Sequence, residues 1–63
     1  MYYDIIKLID GTMYKVGEHV LGSNIEFIVG SQGYDEMEYE IRLTNGFISI
    51  PKTSVLWAFT GLK

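Results

Sequence analysis

Few side chains in this sequence could perform chemistry. Among its 63 residues the chain has one histidine, His19, and no cysteine. His19 follows Glu18 in a predicted loop, where a solvated histidine is the ordinary outcome. Catalysis needs a nucleophile, acid or base held in place by its neighbours. No hydrolase, nucleotide-loop or dithiol motif occurs, so we expect no enzymatic activity and no cofactor.

Four carboxylates lie close together in the sequence, at Asp35, Glu36, Glu38 and Glu40. A cation site needs converging oxygens at a fixed spacing, and no calcium-loop spacing is present. Glu38 and Glu40 fall on the polar side of a strongly alternating segment, and the other two belong to residues 31–36, which predict a mobile polar loop. We therefore expect a solvated acidic face and no metal site.

Two cations occupy equivalent positions of a short repeat. Residues 6–11 read IKLIDG and residues 41–46 read IRLTNG, and a Val-Leu pair follows each copy at the same offset. Lys7 and Arg42 are interpreted first as outward charges that keep a sheet soluble. The sharper hypothesis is that both cations, with Tyr14 opposite Lys7, bind an anionic nucleotide or phosphate.

The elements that must position these residues are predicted to be strands. Short runs rich in Ile, Val, Tyr, Phe and Thr lie between frequent glycines, which is typical of β-structure. Segment 37–44 alternates most clearly, with Tyr39, Ile41 and Leu43 on one side and glutamates and an arginine on the other. The predicted strands cover residues 2–9, 12–16, 24–29, 37–44, 47–50 and 55–60.

Asn45-Gly46 predicts a two-residue hairpin turn with positive φ at both positions. That turn pairs Leu43 with Ile48 and Ile41 with Ile50, so one face of the hairpin stays apolar.

Asp10-Gly11 predicts a second turn of the same kind. Its register places Ile6 opposite Lys15, a poor match that a one-residue bulge would correct by bringing Val16 beside Ile6. The first strand is also apolar on both sides, which predicts a position between two layers or cover by another chain.

The repeat suggests two hairpins, each followed by a third apolar segment, that bury their faces against one another. Residues 47–59, FISIPKTSVLWAF, resemble the last strands of SH3-like small barrels. The sequence lacks the paired tryptophans and acidic first loop of peptide-binding SH3 domains, so the resemblance implies no site residues. We predict one domain over residues 1–63, all-β, as a small SH3-like barrel or a two-layer antiparallel sandwich of five to six short strands.

The last predicted strand is apolar on both faces. Val55, Trp57 and Phe59 alternate with Leu56 and Ala58. An intrachain barrel core could accept Trp57, but aromatic residues concentrate in the centres of interfaces. We expect Val55, Leu56, Trp57 and Phe59 to lie at a homo-oligomeric contact, with a twofold axis as the commonest symmetry.

Composition limits the partners. A domain of this size buries only about 60% of the surface that its unfolded chain exposes, so it commonly needs oligomerisation. The net charge of −3 argues against duplex nucleic acid and anionic membranes. No signal peptide or membrane span is predicted, and the expected compartment is the cytoplasm.

The sequence favours a non-enzymatic binding and assembly module that self-associates or binds another protein, of the type found among accessory proteins of bacteria and their phages. The alternative is an oligomer that sequesters an anionic nucleotide between subunits. A binder of single-stranded nucleic acid is the third hypothesis.

Overall fold

The computed structural model describes residues 1–30 and 38–61, and these residues form two antiparallel sheets. One turn of 3-10 helix, Lys52–Ser54, precedes the last strand. The eight short strands are β1 (Tyr2–Tyr3), β2 (Ile5–Leu8), β3 (Met13–Lys15), β4 (His19–Val20), β5 (Ser23–Gly30), β6 (Glu38–Leu43), β7 (Gly46–Pro51) and β8 (Val55–Phe59). The all-β class is confirmed, with eight strands instead of five or six; closure as an SH3-like barrel stays a prediction.

The larger sheet has the strand order β1-β5-β6-β7, with β4 pairing the start of β5, and the smaller sheet has the order β3-β2-β8. The predicted first strand contributes to both sheets because it divides at Asp4. The Asp4 amide donates to the Phe59 carbonyl at 2.7 Å, and its carbonyl accepts from the Val16 amide at 3.0 Å. Its carboxylate accepts from the Gly61 amide at 2.7 Å. Asp4 therefore fixes the point where the chain passes between sheets.

The core lies between the two sheets and is aliphatic. Ile6 from the smaller sheet is fully buried against the larger one, where Ile28 and Ile41 are also fully buried. Burying such a side chain stabilises the fold by roughly 1.5–3 kcal/mol. Ile6 and Ile41 are equivalent positions of the sequence repeat, and both belong to the same buried cluster. The remaining core residues are Ile25, Leu43 and Ile50.

The register predicted for the β6–β7 hairpin is wrong by two residues. Ile41 pairs with Ile48, and Leu43 pairs with Gly46, so the turn is Thr44-Asn45. Neither Asn45 nor Gly46 has a positive φ. A shift of two keeps every side chain on its predicted face. The cause is tertiary, because the buried Ser23 hydroxyl donates to the Asn45 side-chain oxygen at 2.8 Å and holds that residue in the turn.

The β2–β3 turn also differs from its prediction. It has three residues, of which only Gly11 has a positive φ, 96°. The Gly11 amide donates to the Leu8 carbonyl at 3.0 Å and the Leu8 amide donates to Thr12 at 2.8 Å. The expected bulge is wrong, because the extra turn residue shifts the register in the opposite direction and pairs Ile6 with Tyr14 instead of Val16. The Thr12 amide and hydroxyl hydrogen-bond Asp10 and lower the pKa of its carboxyl.

Gly30 is required by close packing of two tyrosines on the inner face. A Cβ atom at Gly30 would lie 2.8 Å from the Tyr3 ring and 3.1 Å from the Tyr39 ring. The two ring centroids are 5.5 Å apart. Burial raises the pKa of the Tyr39 hydroxyl, and the charge and hydrogen bond of Tyr3 add to the effect. This contact therefore favours the neutral phenol.

Candidate interaction surface

The residues considered for catalysis or metal binding are dispersed. His19 is exposed on β4, opposite Asn24. Glu38 and Glu40 lie on the outward side of β6, as the alternation predicted, whereas Asp35, Glu36 and the predicted loop at 31–36 fall outside the described residues. Within residues 1–30 and 38–61, no three His, Asp or Glu side chains converge in a way that could hold a metal ion.

The three residues predicted to bind an anion do not share a surface of one subunit. Tyr14 pairs with Ile6 and is half-buried towards the core, so the register that placed it opposite Lys7 is wrong. Lys7 projects from the opposite, outer face of the smaller sheet. Arg42 projects from the larger sheet, where its guanidinium lies 5.3 Å from the Phe47 ring centroid. Within one subunit the three residues therefore do not form the expected site, because Tyr14 faces the core and the two cations lie on different sheets.

Strand β8 is an edge strand of the smaller sheet, and its alternation is interrupted. Lys7 pairs with Trp57 but Leu8 pairs with Val55, so Leu56 is the extra residue of a β-bulge. The prediction that Val55 shares a face with Trp57 is therefore wrong, because Val55 packs against the core. Leu56 and Trp57 are 59% and 42% exposed. Within one chain, the outward side of this strand is therefore exposed.

Two cross-strand rows make up the outer face of the smaller sheet. One row runs Phe59–Ile5–Lys15 and the other runs Trp57–Lys7–Met13 across β8, β2 and β3. Phe59 and Met13 are 46% and 48% exposed. We call these six residues the lysine face. It combines four apolar side chains with two cations, and no carboxylate belongs to either row.

The outer face of the larger sheet has a different character. Its rows are Tyr2–Val29–Glu40–Ser49, Phe27–Arg42–Phe47 and Glu38–Pro51, and we call these residues the acidic face. The Tyr2 and Phe27 rings meet edge to face with centroids 5.5 Å apart. Arg42 Nε lies 3.1 Å from Glu40 Oε1. Both carboxylates of this face lie on β6, beside exposed aromatic rings.

Sequence reasoning missed Met13 and Phe27 as surface residues. The signal for Phe27 was hidden by a bulge in β5, where Ile25 pairs with Leu43 but Phe27 pairs with Arg42, so the simple alternation fails. Met13 was assigned to the wrong face by the one-residue error in its turn. Exact strand order would have been needed to align these residues in rows.

Comparison of the chain with protein-family models, with curated proteins and with solved structures finds no match in any of the three. In the described part of the chain, no helix has the length and apolar character needed to cross a membrane.

Proposed function

We propose that this protein is a non-enzymatic binding and assembly module that associates with itself through the lysine face. The observation that carries the proposal is the exposure of Trp57 and Phe59 beside Ile5 and Met13 on one sheet face. Large aromatic side chains are enriched in the centres of interfaces, where they bury the most surface at low entropic cost.

The edge position of β8 supports the same proposal. An edge strand leaves backbone groups free to pair with another chain, and a stable protein has to cover such an edge in a defined way. The nearby Leu56 adds an exposed apolar side chain at the bulge. The chain has no disulfide, and its small core gives limited stability. Association would add to that stability by burying more apolar surface.

The proposal includes a cytoplasmic location and an accessory role in bacteria or their phages. Its support is compositional, because the chain is short, acidic and free of cysteine, and cysteine-rich frameworks are what small domains of oxidising compartments commonly use.

A pair of leucine substitutions tests the proposed function. Leu56→Glu places a charge at the bulge beside the lysine face, and we expect it to lower the average solution mass while the circular dichroism spectrum stays that of the parent. Leu21→Glu is the matched control, since Leu21 is also exposed and lies in the turn before β5. Equal masses for both variants and the parent would contradict the use of this surface.

The second candidate function is sequestration of an anionic nucleotide between subunits. One observation favours it, namely that Lys7 stands between Trp57 and Met13 in an exposed row, with Lys15 in the next. A ligand at one hundred times its Kd would stabilise the fold by about 2.7 kcal/mol. A thermal scan with ATP as the probe tests this function, and an unchanged melting temperature at millimolar ATP would count against it.

A further inference from the structure

We propose that the self-association is heterologous, with the lysine face of one copy bound to the acidic face of the next. The inference rests on the proposed function and identifies the partner surface. It differs from the twofold contact expected from symmetry statistics, in which the lysine faces of two copies would bind each other.

The charges of the two faces favour this pairing. The described residues include six carboxylates, and none belongs to the lysine face, which carries Lys7 and Lys15. A twofold contact between lysine faces would bring four cations together in an apolar setting without a counter-charge. Like charges placed across an interface are strongly unfavourable. The acidic face instead carries two carboxylates, Glu38 and Glu40, against one cation, Arg42, which pairs with Glu40, so its net charge is negative.

The apolar side chains of the two faces also match in kind. The lysine face exposes Trp57 and Phe59, and the acidic face exposes Tyr2, Phe27 and Phe47. Aromatic rings pair well in edge-to-face and offset geometries. An interface of ordinary size buries about 800 Å² on each partner, close to a fifth of the 4308 Å² accessible surface. Heterologous contact would thus cover both exposed faces of each copy.

The position of the two faces determines the form of the assembly. They are the outer faces of two sheets that pack together around one core, so they point away from each other. A contact between them repeats from copy to copy, and it produces a ring where the rotation closes and an open filament where it does not. A twofold contact would instead stop at a dimer.

Two double variants test the pairing. The first, Met13→Glu with Lys15→Glu, reverses the charge of the lysine face on β3. The second, Phe47→Lys with Ser49→Lys, reverses the charge of the acidic face on β7. All four side chains are exposed on edge strands, so the core is not changed. Lys52→Glu is the control, because it changes charge on the 3-10 turn, outside both faces.

We expect each double variant alone to sediment as a single subunit, and their equimolar mixture to form complexes of two or more subunits, since the two reversed faces are also opposite in charge. The mixture restores one intact lysine face opposite one intact acidic face. The Lys52→Glu control should assemble like the parent. If the Phe47/Ser49 variant dimerises alone, the contact is between lysine faces, and the heterologous inference fails while the proposed function stands. A parent that is monomeric throughout would overturn both.

Discussion

The two hairpin glycines should respond in opposite ways to alanine. At Gly11 φ is 96°, a region that a side chain disfavours, so Gly11→Ala should destabilise the fold by about 1–2 kcal/mol. At Gly46 φ is not positive, and a Cβ atom would meet nothing within 4 Å. Gly46→Ala should therefore stabilise by about 0.4–1 kcal/mol, because it restricts the unfolded chain.

Thermal unfolding followed by circular dichroism measures both effects. For a domain of this size 1 kcal/mol corresponds to about 4–8 °C in Tm, so Gly11→Ala should melt clearly below the parent and Gly46→Ala slightly above it. Protein concentration must be equal in all samples, since association makes Tm concentration-dependent. A decrease in Tm for Gly46→Ala as large as that for Gly11→Ala would support a turn at Asn45-Gly46 and refute the observed register.

Three further predictions concern the packed tyrosines and the acidic strand. Gly30→Ala should cost about 1–3 kcal/mol in urea unfolding, because its Cβ atom would press on both rings; an unchanged midpoint would mean that the Tyr3 ring moves freely. The pKa of Tyr39 is raised in the fold, so its contribution to stability is complete below the unfolded tyrosine pKa of about 10 and is lost as pH rises through the folded value. Tyr39→Phe should make the loss of stability at alkaline pH less steep. A loss as steep as the parent's would mean that other groups cause it. Millimolar Ca²⁺ or Mg²⁺ should leave Tm unchanged apart from ionic strength, whereas saturable stabilisation would point to a site involving Glu38 and Glu40.

Alternation of apolar and polar residues predicted the fold class and the inner faces well. The buried Ile41 and Leu43 were placed correctly because a period of two assigns faces without knowledge of the partner strand. The same rule failed at β-bulges, where one extra residue reverses the alternation. Leu56 and Glu26 are such residues, and neither carries a local sequence signal that distinguishes it from an ordinary strand residue.

The geometry of the turns was the second feature that the sequence did not predict correctly. Asn-Gly is a strong hairpin signal, but the hydrogen bond from Ser23 to Asn45 comes from a strand twenty-two positions away. Local propensity cannot include such a partner. The two rows of the lysine face depend in the same way on β8 lying beside β2, a pairing between the two ends of the chain.

The solution mass of the parent protein tests the central claim most directly. Sedimentation equilibrium from low to high micromolar concentration should give an average mass that rises above one subunit, because the exposed Trp57 and Phe59 become buried against a second copy. A mass that stays at one subunit up to high micromolar concentration would contradict self-association through the lysine face.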